Sequence, residues 1–275
     1  MFNQNHLAQF QEEGYVILGN IFDSNLIQNW VRCANILPSD PSKKEVHGNF
    51  LETDTEMALR TIANPNILDF AEDIMGPFVQ LDGLTLVIWP PAGRMSEMET
   101  EISWHRDPFA NVPNGSCYQR PLGLNVLTYL QDLDADNGPL RVIPKSHRTH
   151  FTIPVYQRTK PHPQETLIYL KKGETIVFHN NLAHTRTPNN SQNTRCYFSV
   201  FYNLSWLRSS FNSQGRCSQQ IIQWALENND KRLLRLFGID DQFEKRTNSG
   251  FMSEDRECWR EWIKEDRSFF HAYFK

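Results

Sequence analysis

The sequence predicts a mainly β fold with flanking α-helices, in which the strands form an antiparallel barrel or sandwich. Between about residues 79 and 204, short apolar runs of β-prone residues are each bounded by Gly, Pro, Asn or Asp. Before and after this region, apolar residues recur at spacings of three and four, which is the helical period. Many short strands without helices between them favour barrels and sandwiches, of which the double-stranded β-helix, or jelly roll, is one kind.

The first region, residues 1–78, is predicted to be helical and to pack on the β core. One short β-prone run, GYVIL at residues 14–18, interrupts the helical pattern. Asp23 or Ser24 can cap the helix that follows this run, because either side chain can accept a hydrogen bond from a backbone N–H of the first turn. The apolar positions at helical spacing lie in residues 7–10, 26–31 and 67–74.

The second region, residues 79–204, contains the predicted strands of the core. Each run alternates or is continuously apolar and stops at a turn-forming residue, which is the pattern of a strand in a barrel or sandwich. The runs are VQLDGLTLVIWP (79–90), GLNVLTYLQDL (123–133), GPLRVIP (138–144), ETLIYL (165–170), GETIVFH (173–179) and RCYFSVFYNL (195–204).

The third region, residues 205–275, returns to a helical pattern. The runs SQQIIQWALENNDKRLLRLFGI, which ends near Gly238, and SEDRECWREWIKEDRSFFHAYF, with Ser253 as its cap, are amphipathic and rich in aromatic residues. We expect them to serve packing, or homo-oligomer formation, and not chemistry. The whole chain, residues 1–275, is interpreted as a single domain of three regions.

Composition excludes several classes of protein. The apolar share of 39% is that of a globular chain, and a net charge of −4 provides no basic field for nucleic acid or anionic lipid. Five scattered cysteines without a C-x-x-C pair indicate reduced thiols. We see no signal peptide and no apolar stretch near the ~20 residues of a membrane span. The sequence therefore predicts a cytoplasmic protein, and its modest net charge says little about a small substrate.

The stretch SWHRDPF contains a histidine and an aspartate two positions apart, His105 and Asp107. On a strand, side chains at i and i+2 leave the same face, so both can reach one metal ion inside a narrow barrel. The alternative is a polar pair on a surface strand. A metal site of the facial-triad type requires a second histidine and leaves coordination positions open for other ligands.

The candidates for this third ligand are the other eight histidines, His6, His47, His147, His150, His162, His179, His184 and His271. His179 and His184 both follow the strong strand GETIVF, and spacing alone does not choose between them. The remaining histidines in the terminal helical regions and in the basic loop KSHRTH are interpreted as solvated or hydrogen-bonded. These are His6, His147, His150 and His271.

Four segments together resemble the phytanoyl-CoA dioxygenase family. They are FQEEGYVILGNIF near the N-terminus, WHRD at 104–107, DNGPLRVIPKSHR at 136–148, and GETIVFHNNLAHTRTPNNSQNTR at 173–195. The resemblance covers roughly residues 7–205 and departs from the family's PGSH at Lys145. It implies a jelly-roll core and an enzyme that depends on Fe(II), 2-oxoglutarate and molecular oxygen.

The resemblance also implies roles for individual residues. His105, Asp107 and His184 match the iron ligands, whereas His179 matches a position that is often histidine but is not a ligand. Arg195, eleven positions after His184, matches the arginine that pairs with the far carboxylate of 2-oxoglutarate. A planar, permanently charged guanidinium suits this partner.

Asn125 aligns with a polar position that contacts 2-oxoglutarate in relatives. The plain alternative for Asn125 is an asparagine at the edge of the core.

For the substrate, the resemblance implies hydroxylation of a C–H bond in a small polar or zwitterionic metabolite, as in natural-product biosynthesis. An alkaloid such as 7-deoxy-cylindrospermopsin is one example from the family. Asp82, Phe109 and Arg186 are expected to contact it. The loop 109–120 is interpreted as a lid or as a solvated connection. The alternative function is a non-catalytic or zinc-binding cupin-like module.

Overall fold

The strands predicted in the central region are present. The computed structural model describes residues 2–37, 40–95, 102–112, 117–150, 152–239, 246 and 255–269. Its strands are β1 (Tyr15–Gly19), β2 (Glu45–His47), β3 (Val79–Trp89), β4 (Gly123–Tyr129), β5 (Leu140–Val142), β6 (Thr166–Ile168), β7 (Thr175–His179), β8 (His184–Arg186) and β9 (Arg195–Leu204).

These strands form two sheets. The larger sheet has the order β1-β7-β4-β9-β3-β2, and the smaller has the order β6-β5-β8. The pairs β1–β7, β4–β7, β2–β3, β5–β6 and β5–β8 are all antiparallel. The predicted mainly β fold with a jelly-roll core is therefore confirmed. The short strands β2 and β8 were not predicted.

The chain divides into two compact units. The first comprises residues 1–48 and 85–200, and the second comprises residues 49–84 and 201–275. Two of the three boundaries lie inside long strands, at Leu84/Thr85 in β3 and at Val200/Phe201 in β9, and the third lies at Gly48/Asn49. The predicted regions ended instead at 78 and 204, near where the periodicity of the sequence changes. The interpretation of the whole chain as one domain stays a prediction.

The first unit has its core between the two sheets. Side chains from β4 and β7 on one sheet pack against side chains from β5 and β6 on the other, and each is at most 6% exposed. Burial of such aliphatic and aromatic groups is the main stabilising contribution to a sandwich. The cluster consists of Leu127, Tyr129, Leu133, Leu140, Val142, Ile168, Leu170, Ile176, Phe178 and Leu182.

Two helices of the first unit begin at side-chain caps. Helix α1 (Gln4–Glu13) is capped by Asn3, and α2 (Ser24–Ile36) is capped by Asp23, whose carboxylate accepts a hydrogen bond from the N–H of Leu26. The predicted choice between Asp23 and Ser24 is thus resolved in favour of Asp23. On α2, the fully buried Trp30 stacks on Phe198 of β9, with ring centroids 4.4 Å apart.

Five further α-helices with given bounds lie in the described part of the second unit. They are α3 (Thr55–Ile62), α4 (Pro65–Met75), α5 (Arg216–Glu227), α6 (Lys231–Leu236) and α7 (Asp255–Phe269). The predicted helical run at 218–239 is two helices, because Asn229 adopts the left-handed conformation (φ 52°) and Asp230 caps α6 through the N–H of Leu233. The predicted cap Ser253 lies outside the described residues. No helix in the described part of the chain has the length and apolarity needed to cross a bilayer.

Buried ion pairs connect the helices of the second unit. Arg232 on α6 donates hydrogen bonds to both carboxylate oxygens of Glu72 on α4, and each side chain is no more than 3% exposed. Arg235 on α6 pairs with Asp266 on α7 over 2.7 Å. Charges buried this deeply require a partner, so these contacts specify which helix faces meet.

Candidate metal centre

Three side chains with metal-ligating atoms converge in the first unit. His105, Asp107 and His184 each offer one ligand atom, and these three atoms all lie within 4.8 Å of one another. The predicted H-x-D pair and the more distant of the two histidines that follow GETIVF are therefore brought together. The other of these two, His179, is fully buried elsewhere and does not belong to this group.

Backbone hydrogen bonds hold the two ligand-bearing segments side by side. His105 and His184 form an antiparallel bridge in which the N–H of each donates to the C=O of the other, at 3.1 and 3.0 Å. The N–H of Asp107 donates to the C=O of Asn180 over 3.0 Å. His184 is the first residue of β8, where it pairs with Val142 of β5. Two reciprocal backbone bonds therefore determine the separation of the ligands.

Backbone carbonyls also orient both imidazole rings. Nδ1 of His105 lies 2.8 Å from the C=O of Ser103, and Nδ1 of His184 lies 3.0 Å from the C=O of Leu182. A carbonyl oxygen only accepts, so each Nδ1 carries the proton. Each Nε2 is left with its lone pair for a ligand, which is the tautomer that a metal-binding histidine requires. Nε2 of His184 is 3.7 Å from Oδ1 of Asp107.

His105 is neutral at physiological pH even though solvent reaches its side chain. Burial against the surrounding protein and the nearby imidazole of His184 lower the pKa of His105 to about 4. The ring therefore does not need to lose a proton at neutral pH before it can bind a metal ion.

The second oxygen of Asp107 is held by a chain of hydrogen bonds. Nδ2 of Asn125 donates to Oδ2 of Asp107 over 3.1 Å, and the Ser199 hydroxyl donates to Oδ1 of Asn125 over 2.7 Å. The carboxylate accepts, so its partner on Asn125 is the NH₂ group, and this determines the orientation of the amide. Asn125 therefore orients Asp107, a role that the sequence did not predict.

The three side chains line a cavity of approximately 260 Å³. One part of its wall is apolar and aromatic, with Phe178 at a ring-centroid distance of 4.7 Å from His184. The lining residues are Lys44, Thr85, Val87, Trp89, His105, Asp107, Asn125, Leu127, Tyr129, Leu140, Phe178, His184, Thr185, Arg186, Arg195, Tyr197 and Ser199. All of these belong to the first unit.

Arg195 lines this cavity and is 2% exposed. Its Nη1 donates to the carbonyls of Asn137, Gly138 and Thr187, whereas its Nε has no hydrogen-bond partner. No carboxylate of the described residues pairs with it. A buried guanidinium without an anion is costly, and burial lowers the pKa of Arg195. The side chain is therefore suited to an anionic ligand in the cavity.

The turn at Asn137–Gly138 allows Arg195 to take this position. Gly138 has φ 85°, and a Cβ at this residue would collide with Nη1 of Arg195 and lie 2.6 Å from the C=O of Thr187. The predicted turn in DNGPL thus contributes directly to the site, because only a glycine leaves room for the arginine.

Of the three residues expected to contact a substrate, only Arg186 lines the cavity. Asp82 belongs to the second unit, where its carboxylate accepts a hydrogen bond from the N–H of Ser210 over 2.6 Å. The cavity-lining residues of β3 are Thr85, Val87 and Trp89, at odd positions, whereas Asp82 is at an even position of the alternation. Asp82 is thus outside the lining of this cavity, and its contact with a substrate stays a prediction.

Phe109 also does not line the cavity. It is 36% exposed and has φ 62°, which is rare for a bulky residue. The C=O of the preceding residue, Pro108, accepts a hydrogen bond from the side chain of Asn180. The loop predicted as a lid, 109–120, lies partly outside the described residues, at 113–116.

Lys44 and Trp89 are two of the lining residues that the sequence analysis did not predict. Lys44 immediately precedes β2, and the β2–β3 pairing brings it to Trp89, with its Nζ 4.8 Å from the ring centroid. Trp89 is the last residue of β3. The guanidinium carbons of Arg186 and Arg195 lie 4.5 and 5.5 Å from the centroid of its ring. Nothing in the local sequence indicated that residues 44 and 89 would meet.

His179 has the structural environment predicted for it. Its Nε2 lies 3.0 Å from the C=O of Gln119, and its Nδ1 accepts from the N–H of Asn181. His147 packs against it with ring centroids 5.1 Å apart. Burial lowers the pKa of His179 to about 3 and that of His147 to about 4.

Comparison with known proteins gives one family and several relatives. The sequence pattern of phytanoyl-CoA dioxygenase (PhyH) matches residues 10–196 of this chain. The ectoine dioxygenase of Sphingopyxis alaskensis is 29% identical over 160 residues, which are 53% of this chain and 50% of that protein. The chain thus matches about half the length of this curated relative.

Solved structures share the fold. HygX from Streptomyces hygroscopicus, with nickel and 2-oxoglutarate bound, superimposes with a TM-score of 0.62 at 12% identity, covering 76% of this chain and 90% of that one. SnoN, a non-haem α-ketoglutarate-dependent epimerase from nogalamycin biosynthesis, superimposes with a TM-score of 0.56 at 17% identity, covering 74% and 80%.

Proposed function

This chain belongs to the phytanoyl-CoA dioxygenase family, and from that premise we propose that it is an Fe(II)- and 2-oxoglutarate-dependent oxygenase that hydroxylates a C–H bond of a small polar metabolite. His105, Asp107 and His184 hold the iron, and Arg195 holds the far carboxylate of 2-oxoglutarate. The observation that carries the proposal is the presence of both groups in one cavity.

The donor set suits this metal. Two neutral imidazole nitrogens and one carboxylate oxygen are the ligand types of the facial triad, and they leave coordination positions for a chelating co-substrate and oxygen. A structural zinc site would instead use four protein ligands, whereas the group found among the described residues has three.

The co-substrate requirement is met by Arg195. A guanidinium whose Nε lacks a partner inside a cavity offers a charge-assisted hydrogen bond to a carboxylate. When bound, iron with 2-oxoglutarate supplies the activation of oxygen that an unreactive C–H bond requires, with succinate and carbon dioxide as co-products. Phe178 and Leu127 contribute apolar side chains to the wall of the cavity.

A small substrate agrees with the size and the lining of the cavity. Its volume of approximately 260 Å³ is near the lower end of ligand sites, and hydroxyl groups from Thr85, Thr185 and Ser199 provide polar contacts. The names of the relatives refer to small metabolites and natural products, which supports a substrate of the same kind.

The proposal is tested by anaerobic reconstitution with Fe(II), addition of 2-oxoglutarate and admission of air. We expect succinate in an amount that depends on iron, 2-oxoglutarate and oxygen, and a gain of one oxygen atom in a component of a metabolite extract. Tight binding of Zn(II) together with the absence of succinate under all these conditions would favour the cupin-like binding module instead.

A further inference from the structure

The segment that follows the H-x-D pair is attached to the turn after β7. The N–H of Asp107 donates to the C=O of Asn180 over 3.0 Å, and Nδ2 of Asn180 donates to the C=O of Pro108 over 3.1 Å. Asn180 is fully buried, and the metal-ligating His184 lies four residues after it in the chain. The same short stretch therefore carries one metal-ligating residue and holds another.

The side chain of Asn181 holds this segment at a second point, Asn111. Oδ1 of Asn181 accepts a hydrogen bond from the N–H of Asn111 over 2.8 Å, and Nδ2 of Asn181 donates to the C=O of Asn111 over 2.9 Å. The amide thus pairs with both backbone groups of one residue, as an opposite residue does in an antiparallel sheet. Asn181 is 4% exposed, so water offers this amide no equivalent partner. We call these two hydrogen bonds the Asn181 clamp.

Between the two points of attachment, Phe109 has a backbone conformation that its side chain disfavours. Its φ is 62°, in the left-handed region, where the Cβ of a bulky residue crowds the following carbonyl. Such a conformation persists only when the surrounding contacts hold it. Here they are the hydrogen bonds of Asp107 and Pro108 on one side and the Asn181 clamp on the other. Without the clamp, rotation of Phe109 to negative φ would turn the chain on both sides of it, including the part that carries Asp107.

We propose that Asn181 is a positioning residue for the metal centre. By holding the backbone of Asn111, its side chain keeps residues 106–111 in the conformation that directs the carboxylate of Asp107 towards His184. The inference rests on the proposed function in one respect, namely that Asp107 binds the metal ion. Asn125 contacts that carboxylate directly, whereas Asn181 acts on the backbone that carries it.

The test compares the dissociation constant of Co(II), read from its visible absorption spectrum, in Asn181→Ala and in the wild type. The substitution removes the clamp and keeps the backbone contact in which the C=O of Asn181 accepts from Nε of Arg106. We expect Co(II) to bind about 10- to 100-fold more weakly, which is the range for loss of a contact that orients a ligand.

Asn189→Ala is the matched control. Asn189 is also buried, at 3% exposed, and its Nδ2 donates to the C=O of Asn193 over 2.7 Å, so its amide holds a different loop. Its substitution should lower the thermal midpoint and leave the affinity for Co(II) unchanged.

A double-mutant cycle with Phe109→Gly separates positioning from stability. Glycine adopts positive φ without a steric cost, so in this background the segment depends less on the clamp. Asn181→Ala should therefore cost about fivefold less Co(II) affinity in the Phe109→Gly background than in the wild type. A side chain that only stabilised the fold would give the same loss in both backgrounds.

Asn111→Pro tests the clamp from its other side. The substitution removes the N–H that donates to Asn181 and keeps Asn181 itself. Asn111 is exposed, so we expect the variant to fold. Loss of this one hydrogen bond should weaken Co(II) binding by about 2- to 10-fold.

Two results would overturn the inference. One is wild-type affinity for Co(II) in Asn181→Ala or, if that variant does not fold, in Asn111→Pro. The other is an equal loss of affinity from Asn181→Ala with and without Phe109→Gly. Failure of the proposed function is distinguishable, because it would appear in the wild type itself, as failure to bind Co(II) or to form succinate with iron.

Discussion

The amide nitrogen of Asn125 donates a hydrogen bond to Oδ2 of Asp107 over 3.1 Å, and this contact leaves Oδ1 of the carboxylate to face His184. Ser199 holds the other end of the amide. One oxygen of the carboxylate is thereby engaged by protein, and the other is available to a metal ion. The contact joins β4 to the H-x-D segment, so the strand itself determines how the ligand is presented.

Asn125→Ala should weaken metal binding without removing a ligand. Loss of a hydrogen bond that orients a ligating group typically costs about 10- to 100-fold in metal affinity or activity. The measurement is the dissociation constant of Co(II), read from its visible absorption spectrum. Asn5→Ala, at an exposed position of α1, is the matched control. An unchanged dissociation constant would show that Asn125 does not orient Asp107.

The three ligands should behave alike, and His179 should behave differently. His105→Ala, Asp107→Ala and His184→Ala should each be purified without stoichiometric iron and without turnover, because two ligands are too few to hold the ion. His179→Ala should lose on the order of 2 kcal/mol of stability through its buried hydrogen bonds. Iron content by mass spectrometry and the thermal midpoint separate the two effects. Loss of iron in His179→Ala with retention in His184→Ala would reverse the assignment.

The fold was predictable where local sequence carried the information. The runs that contain β4, β7 and β9 are strongly apolar and end at turn residues. This pattern is enough to predict a strand and its approximate position. The break at Asn229 was missed because asparagine is tolerated inside helices, and its left-handed conformation depends on the cap that Asp230 provides. The local sequence pattern therefore predicted the existence of helices and strands better than the residues at which they begin and end.

The site was predictable only in part, for a similar reason. His105 and Asp107 share one strand face, and the resemblance supplied His184 and Arg195. Lys44 and Trp89 meet only through the β2–β3 pairing. The short strand β2 could not be recognised from the local sequence, so this contact could not be predicted. The position of Asp82 outside the cavity lining could not be predicted, because β3 is buried along both faces and alternation does not indicate which face meets the cavity.

Two buried histidines should make the protein sensitive to acid. Burial keeps the pKa of His147 at about 4 and that of His179 at about 3 in the folded chain, whereas the unfolded value is about 6.5. The unfolded chain therefore binds more protons below this value, and stability falls as the pH is lowered from about 6.5 towards 4. Each histidine should contribute a loss of about 2 kcal/mol between pH 7.5 and pH 5.0.

The measurement is urea unfolding of wild type and His147→Gln at these two pH values. The variant should lose less stability on acidification than the wild type does, whatever its stability at pH 7.5. His150→Gln removes an exposed histidine and should keep the wild-type dependence. Equal losses in wild type and His147→Gln would mean that carboxylates account for the acid sensitivity.

Arg195 and Gly138 should act together on 2-oxoglutarate. Arg195→Ala removes the charge-assisted contact, which should cost about 2–4 kcal/mol, or roughly 30- to 1000-fold in the apparent KM for 2-oxoglutarate. Arg195→Lys should recover part of this, because an ammonium lacks the planar fork. Gly138→Ala should raise the same KM, since its Cβ would occupy the space of Nη1 and the backbone is left-handed there. Gly48→Ala, where a Cβ meets nothing within 4 Å, is the control.

The iron content of these variants distinguishes the role of Arg195 from a structural one. Arg195 has no contact with the metal-ligating atoms, so the dissociation constant of Co(II) should stay within about threefold of the wild type. A guanidinium that served only to bind the carbonyls of Asn137, Gly138 and Thr187 would change the thermal midpoint and leave the KM for 2-oxoglutarate unchanged. That outcome would remove the co-substrate assignment, and with it the main reason to prefer an oxygenase over a binding module. A raised KM with an unchanged Co(II) affinity places the arginine at the far end of the co-substrate.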